Sequence, residues 1–171
     1  MVSRTAAFYG TAVVSVSVAV NLLHTASHAG QHVMSLLAWQ LTYIAVVIYA
    51  APVVAAVLLW TRYGLAGAWL LVAAMAGSLV FGLLYHFVVP GADNVFTQPP
   101  GPWRTTFRVT AVLLAPLQVI GGSVGFWAAR RVPRSSTTGF EKRSSGGLGD
   151  SRGGPRSEPR RATTRGKEDL K

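Results

Sequence analysis

Residues 65–89 read LAGAWLLVAAMAGSLVFGLLYHFVV, an unbroken run without one formally charged side chain. A helix of about 17–25 such residues is what crosses the ~30 Å of hydrocarbon in a bilayer. Three further runs, 6–23, 41–60 and 107–128, are also long enough and largely apolar, the last with Arg108 at its start. All five tryptophans, Trp39, Trp60, Trp69, Trp103 and Trp127, fall at the edges of these runs. An amphipathic indole prefers that position, at the headgroup level. The expectation is an all-α integral membrane four-helix bundle, with spans of about 6–23, 41–60, 65–89 and 107–128.

Charge gives the orientation. Residues 1–129 carry four arginines against Asp93, a net +3, and residues 130–171 carry twelve basic and five acidic residues, a net +7, together the +10 of the chain. Near the span ends, Arg4, Arg62, Arg130, Arg131, Arg134, Lys142 and Arg143 share one side, leaving Arg104 and Arg108 on the other. Basic residues collect on the cytoplasmic side. Both termini are therefore expected in the cytoplasm, which an even number of spans satisfies, and the compartment is the cell membrane. The first run exceeds the 7–15 or so apolar residues of a signal peptide and has only Arg4 before it, so it reads as a retained helix.

Two regions follow from this division, a transmembrane domain over 1–131 and a tail over 132–171. The tail is Ser, Gly, Arg, Pro and Thr with almost no large apolar residue. Such a composition cannot bury enough surface to offset its ordering entropy, so a disordered basic cytoplasmic tail is expected, with contact to anionic lipid as its available interaction. It lacks the interleaved aromatics of a nucleic-acid-binding segment, and no nucleic-acid partner is expected. The absence of cysteine removes disulfides and thiolate metal sites.

Lipid offers no hydrophobic drive for helix association, so close approach through small residues matters. Ala74, Ser78 and Gly82 form one i+4 row, and Gly121 and Gly125 stand at GxxxG spacing. These faces also offer a route to homo- or hetero-oligomers. Pro52 and Pro116 are expected to kink the second and fourth spans. The short 61–64 connection makes the second and third spans a hairpin. Four prolines between 90 and 102 stiffen the third loop, and Thr105 or Thr106 is the expected N-cap of the fourth span.

Polar chemistry gathers at the outer ends. His24, His28 and His32 form an H-x3-H-x3-H row, and His86 continues the row of Ala74, Ser78 and Gly82. Ser17, Asn21, His24 and His28 share a helical stripe, which should face inward because polar groups in hydrocarbon need partners. Histidines four apart can share one ion. His24 and His32 cannot both join on a continuous helix, being about 12 Å apart along it, unless Gly30 breaks the helix and His32 folds back. The workable set is His24, His28 and His86, with His32 and Asp93 as the next metal candidates. Imidazole suits zinc, copper and haem iron. Arg104 and Arg108 share a face beside them, positioned for an anionic ligand or for lipid phosphate.

The H-x3-H spacing resembles the first histidine box of membrane desaturases and hydroxylases, but those di-iron sites draw on more than the four histidines present and on an H-x2-H-H box that is missing. Four-helix membrane cytochromes are the closer likeness, implying His86 with His24 or His28 as axial haem ligands. The sequence 121–125, GGSVG, matches the hydrolase elbow G-x-S-x-G, yet lies within the fourth span some 24 Å from the histidines by helical rise. It reads as glycine packing. No complete catalytic motif is present, which leans the reading away from an enzyme. The economical function is therefore a non-catalytic scaffold, partner subunit or sensor. The alternatives are an outward-facing histidine site for metal or haem, with a redox or metal-handling role, and an extracytoplasmic pH sensor built on histidines that titrate near neutrality.

Overall fold

The computed structural model describes residues 2–32 and 37–131. The expected tail, from 132 onward, lies outside the described residues. Among the described residues four helices are long and apolar enough to cross a membrane: α1 (Arg4–Gly30), α2 (Ala38–Leu59), α3 (Gly64–Val88) and α4 (Arg104–Arg130). Together they make an all-helical bundle of the multi-pass membrane type. Its surface is inverted relative to a water-soluble protein. Phe8, Leu22, Val57, Val80, Val112 and Ile120 are exposed, while Ser17, Asn21, His24, Ser78, Thr110 and Gln118 are buried. Apolar outside and hydrogen-bonding inside is what a hydrocarbon solvent selects.

All four helices start before the expected spans, and α1 also runs seven residues beyond Leu23 to Gly30, while α2 and α3 end one residue short of theirs. Ser3 caps its start, its hydroxyl accepting from the Ala6 N–H at 3.3 Å. α4 begins at Arg104 with Trp103 as N-cap and no side-chain cap bond, so neither Thr105 nor Thr106 serves that role. α4 continues through Pro116 as one helix. In α2 the stretch Ile44–Ala50 is wound as a π-helix immediately before Pro52. Proline lacks an N–H and clashes with the carbonyl four residues back; the wider winding is where α2 accommodates it.

At the end of the bundle that carries Arg4 and Arg130, all four helices meet in one core that includes Ala6, Ala55, Leu59, Ala68, Leu71 and Ala128. Small residues set the spacing there. A Cβ on Gly125 would stand 2.9 Å from the Ala68 carbonyl oxygen, and one on Gly67 would stand 2.9 Å from that of Ala55. Those distances lock α4 on α3 and α3 on α2. Ser123, between the helix-four glycines, is exposed and its hydroxyl donates back to the Val119 carbonyl at 2.8 Å. It is a lipid-facing helix residue with no base beside it.

Toward the opposite end α2 diverges. Its Ala51–Leu59 half packs on α1, but no residue of Ile44–Ala50 is buried. The other three helices stay together, and the histidines lie between them.

Candidate metal centre

His24 and His28 stand one turn apart near the end of α1, and their rings meet His86 of α3. The Nε2 atoms of His24 and His86 are 3.0 Å apart, and those of His28 and His24 are 3.1 Å apart. One ligand nitrogen from each of the three rings falls within 4.8 Å of the others. His86 sits in a second π-helical stretch, Leu84–Val88, that ends α3. Wide turns of this kind recur at functional sites because they re-aim a side chain. His24 and His86 are buried, and His28 is partly so.

The outward nitrogens decide which ring atoms carry protons. His24 Nδ1 is 2.8 Å from the Thr110 hydroxyl oxygen. That hydroxyl lies 2.7 Å and 3.0 Å from the Thr106 and Phe107 carbonyls, which only accept, so its single proton is committed to them. Toward His24 it must accept, and Nδ1 donates. His86 Nδ1 lies 3.0 Å from the Asp93 backbone carbonyl and donates as well. His28 Nδ1 lies 3.2 Å from the Asp93 carboxylate, an ion-pairing distance without hydrogen-bond geometry, and that carboxylate oxygen has no hydrogen-bond partner. The Nε2 atoms of His24 and His86 are thereby left as lone pairs facing each other, with His28 Nε2 beside them.

Two lone pairs 3.0 Å apart repel unless a proton or another cation lies between them. A proton bridges two nitrogens; a metal ion could meet all three. Two ligands at the ~2.0–2.1 Å of a zinc–imidazole bond, set at the tetrahedral angle, lie roughly 3.3 Å apart, close to the 3.0 and 3.1 Å found here. Metal-bound histidines almost always give their other N–H to a carboxylate, a carbonyl or a similar acceptor, and each of these rings faces one.

Phe107 holds the rings in place. Fully buried at the start of α4, it puts its ring centroid 4.9, 4.7 and 5.5 Å from those of His24, His28 and His86. The third loop supplies the rest. Asn94 builds a compact turn by donating to the Val89 carbonyl and accepting from the Phe96 N–H, and the Thr97 hydroxyl donates to the Gly91 carbonyl. The Val95 N–H returns to the His86 carbonyl at 2.9 Å. This turn, rather than the prolines after it, holds the Asp93 carbonyl that His86 uses and sets the Asp93 carboxylate beside His28.

The other candidates are placed as follows. Asp93 stands behind His28, on the Nδ1 side, where it orients a ligand and is not itself one of the converging donors. His32 is exposed, with a left-handed backbone (φ 54°), two residues beyond the end of α1. It does not fold back. The helix persists through Gly30, against which the Trp103 indole lies so closely that no Cβ would fit. Arg104 and Arg108 are half-buried, and the Nε of each is buried without a partner. Gln40 caps α2 by accepting from the Leu37 N–H at 2.8 Å, away from any ligand role. Thr110 and Phe107 were not among the expected site residues. Both lie on the buried α4 stripe of Phe107, Thr110, Ala111, Leu114 and Gln118, where a threonine on an otherwise mostly apolar face was the available signal.

Three imidazole nitrogens within 4.8 Å of one another are an arrangement that could hold an ion.

Comparison with protein-family models, with curated proteins and with solved structures found no match to this chain. The functional reading therefore rests on the site itself.

Proposed function

We propose that the protein is a membrane metal-binding protein that holds one first-row transition ion, zinc or copper(II), on the Nε2 atoms of His24, His28 and His86. The observation that carries this is the set of three imidazole nitrogens within 4.8 Å of one another, with His24 Nδ1 turned to Thr110 and His86 Nδ1 to the Asp93 carbonyl. A nitrogen-only donor set with no thiolate or thioether suits those two ions. Three protein ligands leave a fourth position open, the arrangement of a reactive rather than a purely structural site. Thr110 and Asp93 would fix the tautomers. The Asp93 carboxylate would also offset part of the ion's charge near the hydrocarbon.

The site lies at the end of the bundle away from Arg4 and Arg130. With the basic residues assigned to the cytoplasm, we place both termini inside the cell membrane and the ion near its outer face. A metal-free scaffold differs from this in one experiment. Protein purified in detergent after growth with zinc and copper should carry about one ion per chain. The triple variant His24→Gln, His28→Gln, His86→Gln should carry none, and His32→Gln should match the wild type. Equal metal content in the wild type and the triple variant would refute the proposal and return the chain to the scaffold reading.

A further inference from the structure

A cavity of about 120 Å³ opens directly off the three histidines. Its walls are mostly apolar: Leu41, Ile44 and Ile48 from α2, Phe81 and Leu83 from α3, and Leu114 from α4. At its deep end are three polar side chains, Asn21, Ser78 and Gln118. An apolar cavity of about 150 Å³ is enough to take up benzene. The space is therefore on the scale of one small ring rather than of a lipid or a macrocycle.

Gly82 marks the space as built. It lines the cavity from α3, one turn before His86, yet nothing lies within 4 Å of where its Cβ would be. Elsewhere in the bundle glycine permits contact with a neighbouring helix, as Gly67 and Gly125 do. A glycine inside a helix costs roughly 1 kcal/mol relative to alanine, and at Gly82 the neighbour it admits is open volume beside His86.

The α2 wall of the cavity lies at the depth of the outer half of that helix. Between Trp39 and Trp60, α2 spans about 32 Å of helical rise, close to the ~30 Å hydrocarbon thickness. Ile44 and Tyr49 then stand about 7 and 15 Å inside Trp39, within the outer leaflet. Over that stretch α2 is splayed from α1, and the two are bridged by the Thr25 and Tyr49 hydroxyls, 2.8 Å apart at the exposed edge.

We infer that the fourth position of the ion is reached sideways from the outer leaflet, by a small lipophilic molecule of single-ring size that presents one oxygen donor, as a phenol does. This rests on the metal reading above. Apolar walls would hold the ring, the oxygen would meet the ion, and Gly82 would set the size limit.

Cobalt(II) in place of the native ion gives the test, because its visible spectrum reports each change of ligand. The protein in lipid nanodiscs is loaded with cobalt and titrated with phenol and, separately, with azide, a small anion confined to water. Phenol should change the cobalt spectrum at concentrations where azide does not. Gly82→Leu should weaken the phenol response about tenfold or more and leave cobalt binding unchanged. Ala115→Phe, filling the same cavity from α4, should do likewise should the leucine variant fail to fold. Failure of the protein to give a histidine-bound cobalt spectrum would remove both this inference and the metal proposal. A normal cobalt spectrum that ignores phenol, responds more strongly to azide, or responds to phenol equally in the filled variants would overturn this inference alone.

Discussion

Replacing Thr110 by valine tests the proton arrangement on which the metal site depends. Valine keeps the shape of threonine at a buried position and removes only the hydroxyl that accepts from His24 Nδ1 at 2.8 Å. The two carbonyls that the hydroxyl addressed belong to helix α4 and lose little. The His24 N–H loses its partner in a buried setting, at a cost of about 1–3 kcal/mol. The ring can relieve this by moving its proton to Nε2, which removes the lone pair directed at the ion. Both routes lower metal affinity. Loss of such an orienting partner usually weakens binding about 10–100-fold, equivalent to roughly 1.4–2.8 kcal/mol at 1.4 kcal/mol per tenfold. Competition between the detergent-solubilised protein and a chromophoric zinc chelator measures it. Thr42→Val is the control, since that hydroxyl only donates to the Ala38 carbonyl on an exposed face. Affinity of the Thr110→Val protein within about twofold of wild type, a difference near 0.4 kcal/mol, would show that His24 needs no oriented tautomer and would refute the reasoning.

Zinc should stabilise the fold by mass action, by about 2.7 kcal/mol when free zinc is a hundredfold above its dissociation constant; a thermal melt of the wild type should rise with zinc and that of His86→Gln should not. Gly125→Leu should destabilise the bundle by about 1–3 kcal/mol through overpacking on Ala68 and Val72, measured by denaturation in detergent. Ser123→Ala, on the exposed face between the same glycines, should stay within about 0.5 kcal/mol of wild type. Reporter fusions in the 61–64 connection and at the C-terminus should both report cytoplasm; a signal from the far side in either would reverse the assignment of the histidines to the outer face.

Much of the fold was legible because membrane solvation imposes a coarse rule. Runs such as 65–89 and 107–128 need only length and apolarity to declare a span, and they place α3 and α4 to within a few residues. Helix ends were harder. α1 passes through His24, His28 and Gly30, because a polar residue inside a bundle continues a helix as well as an apolar one when its side chain finds partners. The site was legible in part. His24, His28 and His86 follow from two helical rows, and the structure brings these three together. The π-helical winding of Leu84–Val88 alters the direction of His86, and no propensity in that stretch announces it. Asp93 could be chosen as the sole acid of the membrane region, but its position behind His28 depends on the Asn94 turn. That turn is a set of side-chain-to-backbone bonds that residue types permit without specifying. Thr110 was hidden for a different cause: its role is to orient His24, and a partner 86 positions away leaves no mark in local spacing.

X-ray absorption at the zinc or copper edge, on protein loaded with one equivalent of metal, tests the central claim most directly. The account predicts three imidazole nitrogens at about 2.0–2.1 Å and one further oxygen scatterer, with an imidazole lost in His86→Gln and none lost in His32→Gln. A metal shell that lacks three imidazoles, or one that His86→Gln leaves unchanged, would contradict it.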